Sequence, residues 1–471
     1  MATITSQINL WFKKGSTQGT LLAKKALPLH RFMEGSSFLG LTRNGGPTGN
    51  LKCRFQLART IIKTLHGFEK AAEDQNPTER RLADSWEEIH GENNWVGLLE
   101  PFDSLLRTEL IRYGDMAQAC YDAYEEDPSS RFGHRIKIEP HMFFKSLGLT
   151  KYGYDVTKYI YSSYNLDVPN FFNKPLLSDD WTEGASWNGY VAVSNDEYSQ
   201  HLGRRDITIA WRGTVTGLEI FADIQDFQTS IEDHNLPTPD PSIKVEDGFL
   251  DIYTKSDESN TFCNKSARTQ VTEEVQRLVH EYSGEKLSIS VTGHSLGSAL
   301  ATINAYDIAE MRQDNEDNIP VCVFSFSGPR VGNLRFKQRM EELGVKVLRV
   351  ANIHDAVPKV PGVLLNERLP VFMQKVVEFL PWSYFHVGEK LMLDHTKSPF
   401  IKKWIDLAEV HNLELLLHLL DGYQGERREF LRATRRNLAL VNKSADLLND
   451  ALQIPPKWRE ALRKKADNIT D

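Results

Sequence analysis

The sequence predicts an α/β protein with a mostly parallel central sheet, helices on both faces and a short helical lid. Three observations carry this expectation. From about residue 186 onward, strand-like runs alternate with helical segments, the rhythm of a sheet covered on both sides. A Gly-x-Ser-x-Gly pattern stands at one strand–helix junction. The chain has 471 residues, enough for one α/β domain of roughly 250–350 residues with flanking segments.

The elements follow in order. Leu105 to Tyr124 has a helical period, with Leu106, Leu110, Tyr113, Ala117 and Tyr121 at three- and four-residue steps. The Tyr-rich region 150–172 shows little periodicity. Asn188–Val193, Asp206–Trp211, Lys286–Val291, Val321–Phe326 and Val345–Val350 read as strands. Residues 426–471 read as a charged helical tail that Pro455 and Pro456 interrupt, so the expected division is 1–68, 69–425 and 426–471.

Composition excludes several classes. Apolar residues make up 40% and charged residues 25%, ordinary globular usage. The net charge of −8 gives no global support for nucleic-acid binding. Cys53, Cys120, Cys263 and Cys322 are scattered, implying neither a zinc site nor a disulfide framework. No run of 18 apolar residues occurs, so no transmembrane segment is expected. Between Met1 and Phe68 the only acid is Glu34, against many Lys, Arg, Ser and Thr residues. That composition reads as an organelle transit peptide, with a disordered basic leader as the plainer alternative.

Gly293-His294-Ser295-Leu296-Gly297 is short enough to occur by chance, and its setting decides. The strand ending at Val291 precedes it, and an Ala-rich helical run from Ser298 to Ile308 follows. A nucleophile elbow needs that order: a tight turn lifts the serine hydroxyl above the sheet while the helix N-terminus faces developing negative charge. Ser295 is therefore the expected nucleophile of an α/β-hydrolase. In that fold the acid and then the histidine follow the serine. Asp355 lies just past the strand Val345–Val350; a surface turn aspartate is the plain alternative. His386, His395, His411 and His418 come later. His411 is preferred because it opens a helix-start pattern after a loop, whereas His418 lies within a helical run; His395 stays possible.

The strand Ile207–Trp211 runs into Arg212-Gly213-Thr214, where a tight turn can aim the Thr214 amide at an oxyanion; Leu296 supplies the second amide. From Leu218 to Ile231, Phe221, Ile224, Gln228 and Ile231 form a stripe at helical spacing with Phe227 beside it. A stiff Pro-rich connector follows at 236–241. Leu218, Phe221, Ile224 and Phe227 are thus expected in a lid over an acyl channel, against the plainer reading of a packed helix.

Several of these motifs together resemble class 3 (fungal-type) lipases: Arg-Gly-Thr at 212–214, Val-Glu-Asp-Gly-Phe-Leu at 245–250, Gly-His-Ser-Leu-Gly at 293–297, Gly-Pro-Arg-Val-Gly-Asn at 328–333 and Asn-Ile-His-Asp-Ala-Val-Pro at 352–358. Residues 86–95, 106–115, 158–161 and 411–414 look like plant class I phospholipases of the sn-1 type, a plastid family that includes the lipase feeding jasmonate synthesis. The resemblance spans about Asp84 to Tyr423 and departs where Glu246 and Asp247 replace a frequent histidine. It implies a Ser295–Asp355–His411 triad without metal or organic cofactor, glycerolipid substrates such as phosphatidylcholine, galactolipids or triacylglycerol, peripheral membrane contact and a chloroplast location. A non-catalytic lipase-like scaffold is the alternative; such proteins tend to lose triad members, and here every position is filled.

Overall fold

A computed structural model of the chain describes residues 80–125, 135–163, 185–214, 228–313, 319–361, 383–434 and 436–462. Its strands are β1 (Tyr154–Ser163), β2 (Ala185–Ser194), β3 (Arg205–Trp211), β4 (Gln228–Ser230), β5 (Lys244–Glu246), β6 (Leu287–His294), β7 (Val321–Phe326), β8 (Lys346–Asn352) and β9 (Glu389–Leu393). Seven of them form one sheet in the order β1-β2-β3-β6-β7-β8-β9, while β4 and β5 pair separately. The first two junctions are antiparallel and the other four parallel. The principal helices are α1 (Ser104–Ala123), α2 (Asp247–Thr254), α3 (Ala267–Glu281), α4 (Leu296–Met311), α5 (Leu334–Glu342) and α6 (Leu413–Gly422).

The sheet separates two apolar layers, and the two-residue period of a strand explains how. In β7, Val321 and Val323 join the layer of α2, α3, α4 and α5, while Cys322, Phe324 and Phe326 join that of α1 and α6. Because both faces are covered, β6 and β7 are buried along their whole length, including the hydroxyl residues that alternate with Leu287, Ile289 and Val291 in β6, of which Ser290 donates to Asp206 at 2.6 Å. This is the α/β-hydrolase arrangement, and it puts the ends of the parallel strands, where ligands meet such sheets, at one edge.

Differences from the sequence reading have physical causes. β1 escaped it because register shifts at Val156/Lys158 and Ile160/Tyr161 break the alternation. β9 escaped because Glu389 and Lys390 are exposed at a sheet edge. The lid residues Leu218, Phe221, Ile224 and Phe227 lie outside the described residues. The end of the helix expected from Leu218 to Ile231 is corrected: Gln228–Ser230 is strand β4, and Ile231–His234 is one 3₁₀ turn.

The tail is corrected as well. In place of one continuous helix its described residues carry 3₁₀ turns at Leu438–Asn442 and Asp450–Leu452 between irregular stretches, with helix over 458–462, and it shares one compact unit with the catalytic region. Its charges hold it down. Arg436 bonds Asp115 at 2.8 Å and Glu414 at 2.6 Å; Lys443 bonds Glu414 at 2.7 Å and Asp122 at 2.8 Å. The charge pattern that looks like a solvated helix face thus serves to strap α1 to α6. No helix among the described residues is long and apolar enough to cross a membrane.

Candidate active site

Ser295 occupies the turn between β6 and α4 with φ 60° and ψ −129°, a conformation that a non-glycine residue holds only under constraint. The constraint is visible. The Ser295 amide donates to the Phe326 carbonyl at 2.9 Å, and the Ser298 hydroxyl donates to the Gly293 carbonyl at 2.6 Å. The flanking glycines let backbones touch: a Cβ on Gly293 would lie 2.8 Å from the Ser298 nitrogen, and one on Gly297 2.9 Å from the Arg212 carbonyl carbon. A side chain at either point would push α4 away from the sheet.

The segment after β3 runs beside the serine. A Cβ on Gly213 would stand 2.5 Å from the His294 carbonyl oxygen and 3.2 Å from Ser295 Cβ. Arg212 fixes this turn by donating to the Trp187 carbonyl at 2.9 Å and the Gly213 carbonyl at 3.0 Å, with its guanidinium 3.9 Å above the Tyr124 ring. Thr214, the next residue, is half-buried, and Leu296 opens the first turn of α4. The two candidate oxyanion amides therefore flank the same serine.

Asp355 is fully buried in the turn beyond β8. It accepts from the Val357 amide at 2.9 Å, and its other oxygen meets His411 Nδ1 at 2.8 Å. Burial pushes the carboxyl's pKa up, but the bonds from His411, the Val357 amide and Ser327 outweigh it and hold the pKa below the usual value. His411 stands between a short helical turn, Leu407–Val410, and α6, whose N-cap Asn412 accepts from the Leu415 amide at 3.1 Å. The other downstream histidines have different partners: His386 the Pro358 carbonyl, His395 the Asn352 side chain, and His418 the Ser398 hydroxyl.

The serine and the imidazole are tied together by a residue whose role the sequence reading missed. His294 precedes Ser295 and donates through Nε2 to the His411 backbone carbonyl at 2.9 Å. Its Nδ1 accepts from the Tyr121 hydroxyl at 2.8 Å, which fixes a neutral tautomer. Burial, and then the proximity of His411, lower its pKa to about 3. The two imidazole rings lie 4.6 Å apart. Tyr121 was legible as a helix-face residue and Ser298 as a helix former, but the Tyr121–His294 bond and a second Ser298 bond, to the Phe326 carbonyl at 3.1 Å, span 173 and 28 residues of chain and leave no local signal.

Residues 208–365 match the family described as lipase (class 3). Phospholipase A1-Igamma2, chloroplastic, of Arabidopsis thaliana is 53% identical over 82% of this chain and 74% of its own length. Phospholipase A1-Igamma1, chloroplastic, of the same plant is 52% identical over 83% and 78%. Galactolipase DONGLE, chloroplastic, also from Arabidopsis, is 42% identical over 72% and 70%. Among solved structures, the Yarrowia lipolytica LIP2 lipase aligns at a TM-score of 0.41 with 18% identity, covering 65% of this chain and 84% of that one. The chain belongs to the class 3 lipases, in their phospholipase A1 group, and is a serine ester hydrolase.

Proposed function

We propose that the protein releases the acyl chain from the sn-1 ester of membrane glycerolipids, with Ser295 as nucleophile, His411 as general base and Asp355 as the group that orients it. The observation that carries this is the 2.8 Å contact between His411 Nδ1 and Asp355, held beside the strained serine through His294. With Nδ1–H given to the carboxylate, Nε2 is the nitrogen left to take the Ser295 proton. Ser295 Oγ attacks the ester carbonyl, and the Thr214 and Leu296 amides stabilise the oxyanion. His411 then protonates the departing glycerol oxygen, leaving an acyl-serine. Water, deprotonated by His411, attacks that ester, and the returned proton restores Ser295.

The relatives' names support glycerolipids bearing either a phosphate or a galactose head group as substrates. They also favour a chloroplast location, which the acid-poor leader suits. Peripheral contact with the bilayer follows from the substrate's own location, since no helix among the described residues crosses it. Purified protein given mixed phosphatidylcholine and galactolipid vesicles should release sn-1 acid and leave 2-acyl lysolipid, as read by mass spectrometry of the products. Equal release from both positions, or release persisting in Ser295→Ala, would remove the assignment.

A further inference from the structure

Beyond hydrolysis, the structure assigns a second site: His354, Asp394 and His395 form a binding site for a zinc-class divalent cation at the joined ends of β8 and β9. One ligand atom from each residue lies within 4.8 Å of the others. His354 Nε2 and Asp394 Oδ1 are 3.3 Å apart, and the His354 and His395 rings are 4.8 Å apart between centroids. Two ligands at about 2.0–2.1 Å in tetrahedral geometry sit about 3.3 Å from each other. The first pair already has that spacing. The remaining contacts close with side-chain movement of roughly 1.5 Å, within reach of a half-exposed histidine.

The surroundings resemble those of a built site. Metal-binding imidazoles and carboxylates are held from behind by other polar groups, which fix their orientation. Asp394 Oδ1 is braced by the Thr396 amide at 2.9 Å and its hydroxyl at 2.7 Å. His395 Nδ1 faces the Asn352 side-chain amide, with Nδ2 at 3.1 Å and Oδ1 at 3.5 Å; a turn of that amide that lets Oδ1 accept the Nδ1 proton leaves the Nε2 lone pair for a ligand role. The backbone beneath is continuous: the Ile353 amide donates to the Leu393 carbonyl at 2.9 Å, joining the two segments that carry the three side chains.

The donor set selects the ion. Two imidazoles and one carboxylate suit zinc, cobalt or nickel, whereas calcium and magnesium require shells of oxygen. Three protein ligands leave one position open to water, and the exposure of His354 gives the ion a route in. The second candidate cluster among the described residues, His234 with Asp247 and Asp251, has only one imidazole. It therefore serves as an internal control.

Zinc titration of the chelator-treated full chain tests this by calorimetry, with the melting temperature as a second readout. The inference predicts one saturable zinc per chain, a rise in melting temperature with zinc, and loss of both in His354→Ala and in His395→Ala. Thr396→Val, which removes only the bracing hydroxyl, should weaken binding by about tenfold. Cobalt absorption reports ligation without calorimetry, should a histidine variant prove unstable: wild type should show a tetrahedral visible band that Asp394→Asn attenuates. Zinc binding that is unchanged by His354→Ala but abolished by His234→Ala would overturn the inference, as would no binding by the wild type. None of these readouts depends on ester hydrolysis.

Discussion

Asp206 and Asp355 are both fully buried, at opposite ends of the sheet, and they are built differently. Asp206, near the start of β3, accepts from five hydroxyls: Tyr113, Tyr154, Thr208, Ser288 and Ser290. Burial raises its pKa, but Arg204 and Arg112 more than reverse the shift, and the group stays ionised far below the usual carboxylate range. Asp355, beyond the end of β8, has one backbone amide, the Ser327 hydroxyl and an imidazole. Among the described residues no arginine or lysine is bonded to it. A carboxylate saturated by fixed cations locks a fold in place. One whose cationic partner is a titratable imidazole gains most when that imidazole becomes charged, which is the event general-base catalysis needs.

The largest effect that sharpens this contrast belongs to the serine. Ser295→Ala should lower kcat on lipid vesicles by at least about 10⁴-fold while the melting temperature stays near wild type. Asp355→Asn should cost about 10⁴-fold in kcat, because the amide favours the wrong imidazole tautomer. Asp206→Ala should do the reverse: denaturant unfolding should show a loss of about 3–5 kcal/mol, since two buried guanidiniums lose their counter-charge. Whatever remains folded should keep its kcat. If Asp206→Ala lowered kcat of the folded enzyme and Asp355→Asn did not, the comparison would be inverted. Gly213→Ala comes next, at about 10²-fold in kcat, because its Cβ would crowd the His294 carbonyl and displace the Thr214 amide.

The smallest effect concerns pH. His294 has a folded pKa of about 3 against roughly 6.5 when unfolded, so below pH 6.5 the unfolded chain binds a proton that the native state refuses. Its contribution is complete above pH 6.5 and declines as pH falls toward 3. His294→Gln, which keeps an N–H for the His411 carbonyl, should flatten stability against pH in that window by up to about 1.4 kcal/mol per pH unit. An unchanged slope would mean that His294 is protonated in the fold.

What the sequence disclosed follows from how local each feature is. Ser295 was legible because the elbow needs its glycines, strand and helix within a few residues. Asp355 and His411 were legible as the ends of recognisable elements, a strand and a helix N-cap. The central parallel strands were legible because β-branched and other apolar residues recur along them, consecutively over most of β7 and at every second position in β6. Hidden from it were features set by distant partners: the Tyr121–His294–His411 chain of bonds, the Arg212 clamp on the turn after β3, and the tail strapped to Glu414. β1 stayed hidden because its bulges erase the two-residue rhythm that a strand would otherwise show.

The claim on which the rest depends is that Ser295 is activated by His411 only while Asp355 holds that imidazole. Labelling with a fluorophosphonate probe, with the modified peptide located by mass spectrometry, tests it most directly. The account predicts a single adduct on Ser295 that forms far more slowly in Asp355→Asn and is absent in Ser295→Ala. An adduct on another serine, or wild-type labelling rates in Asp355→Asn, would contradict it.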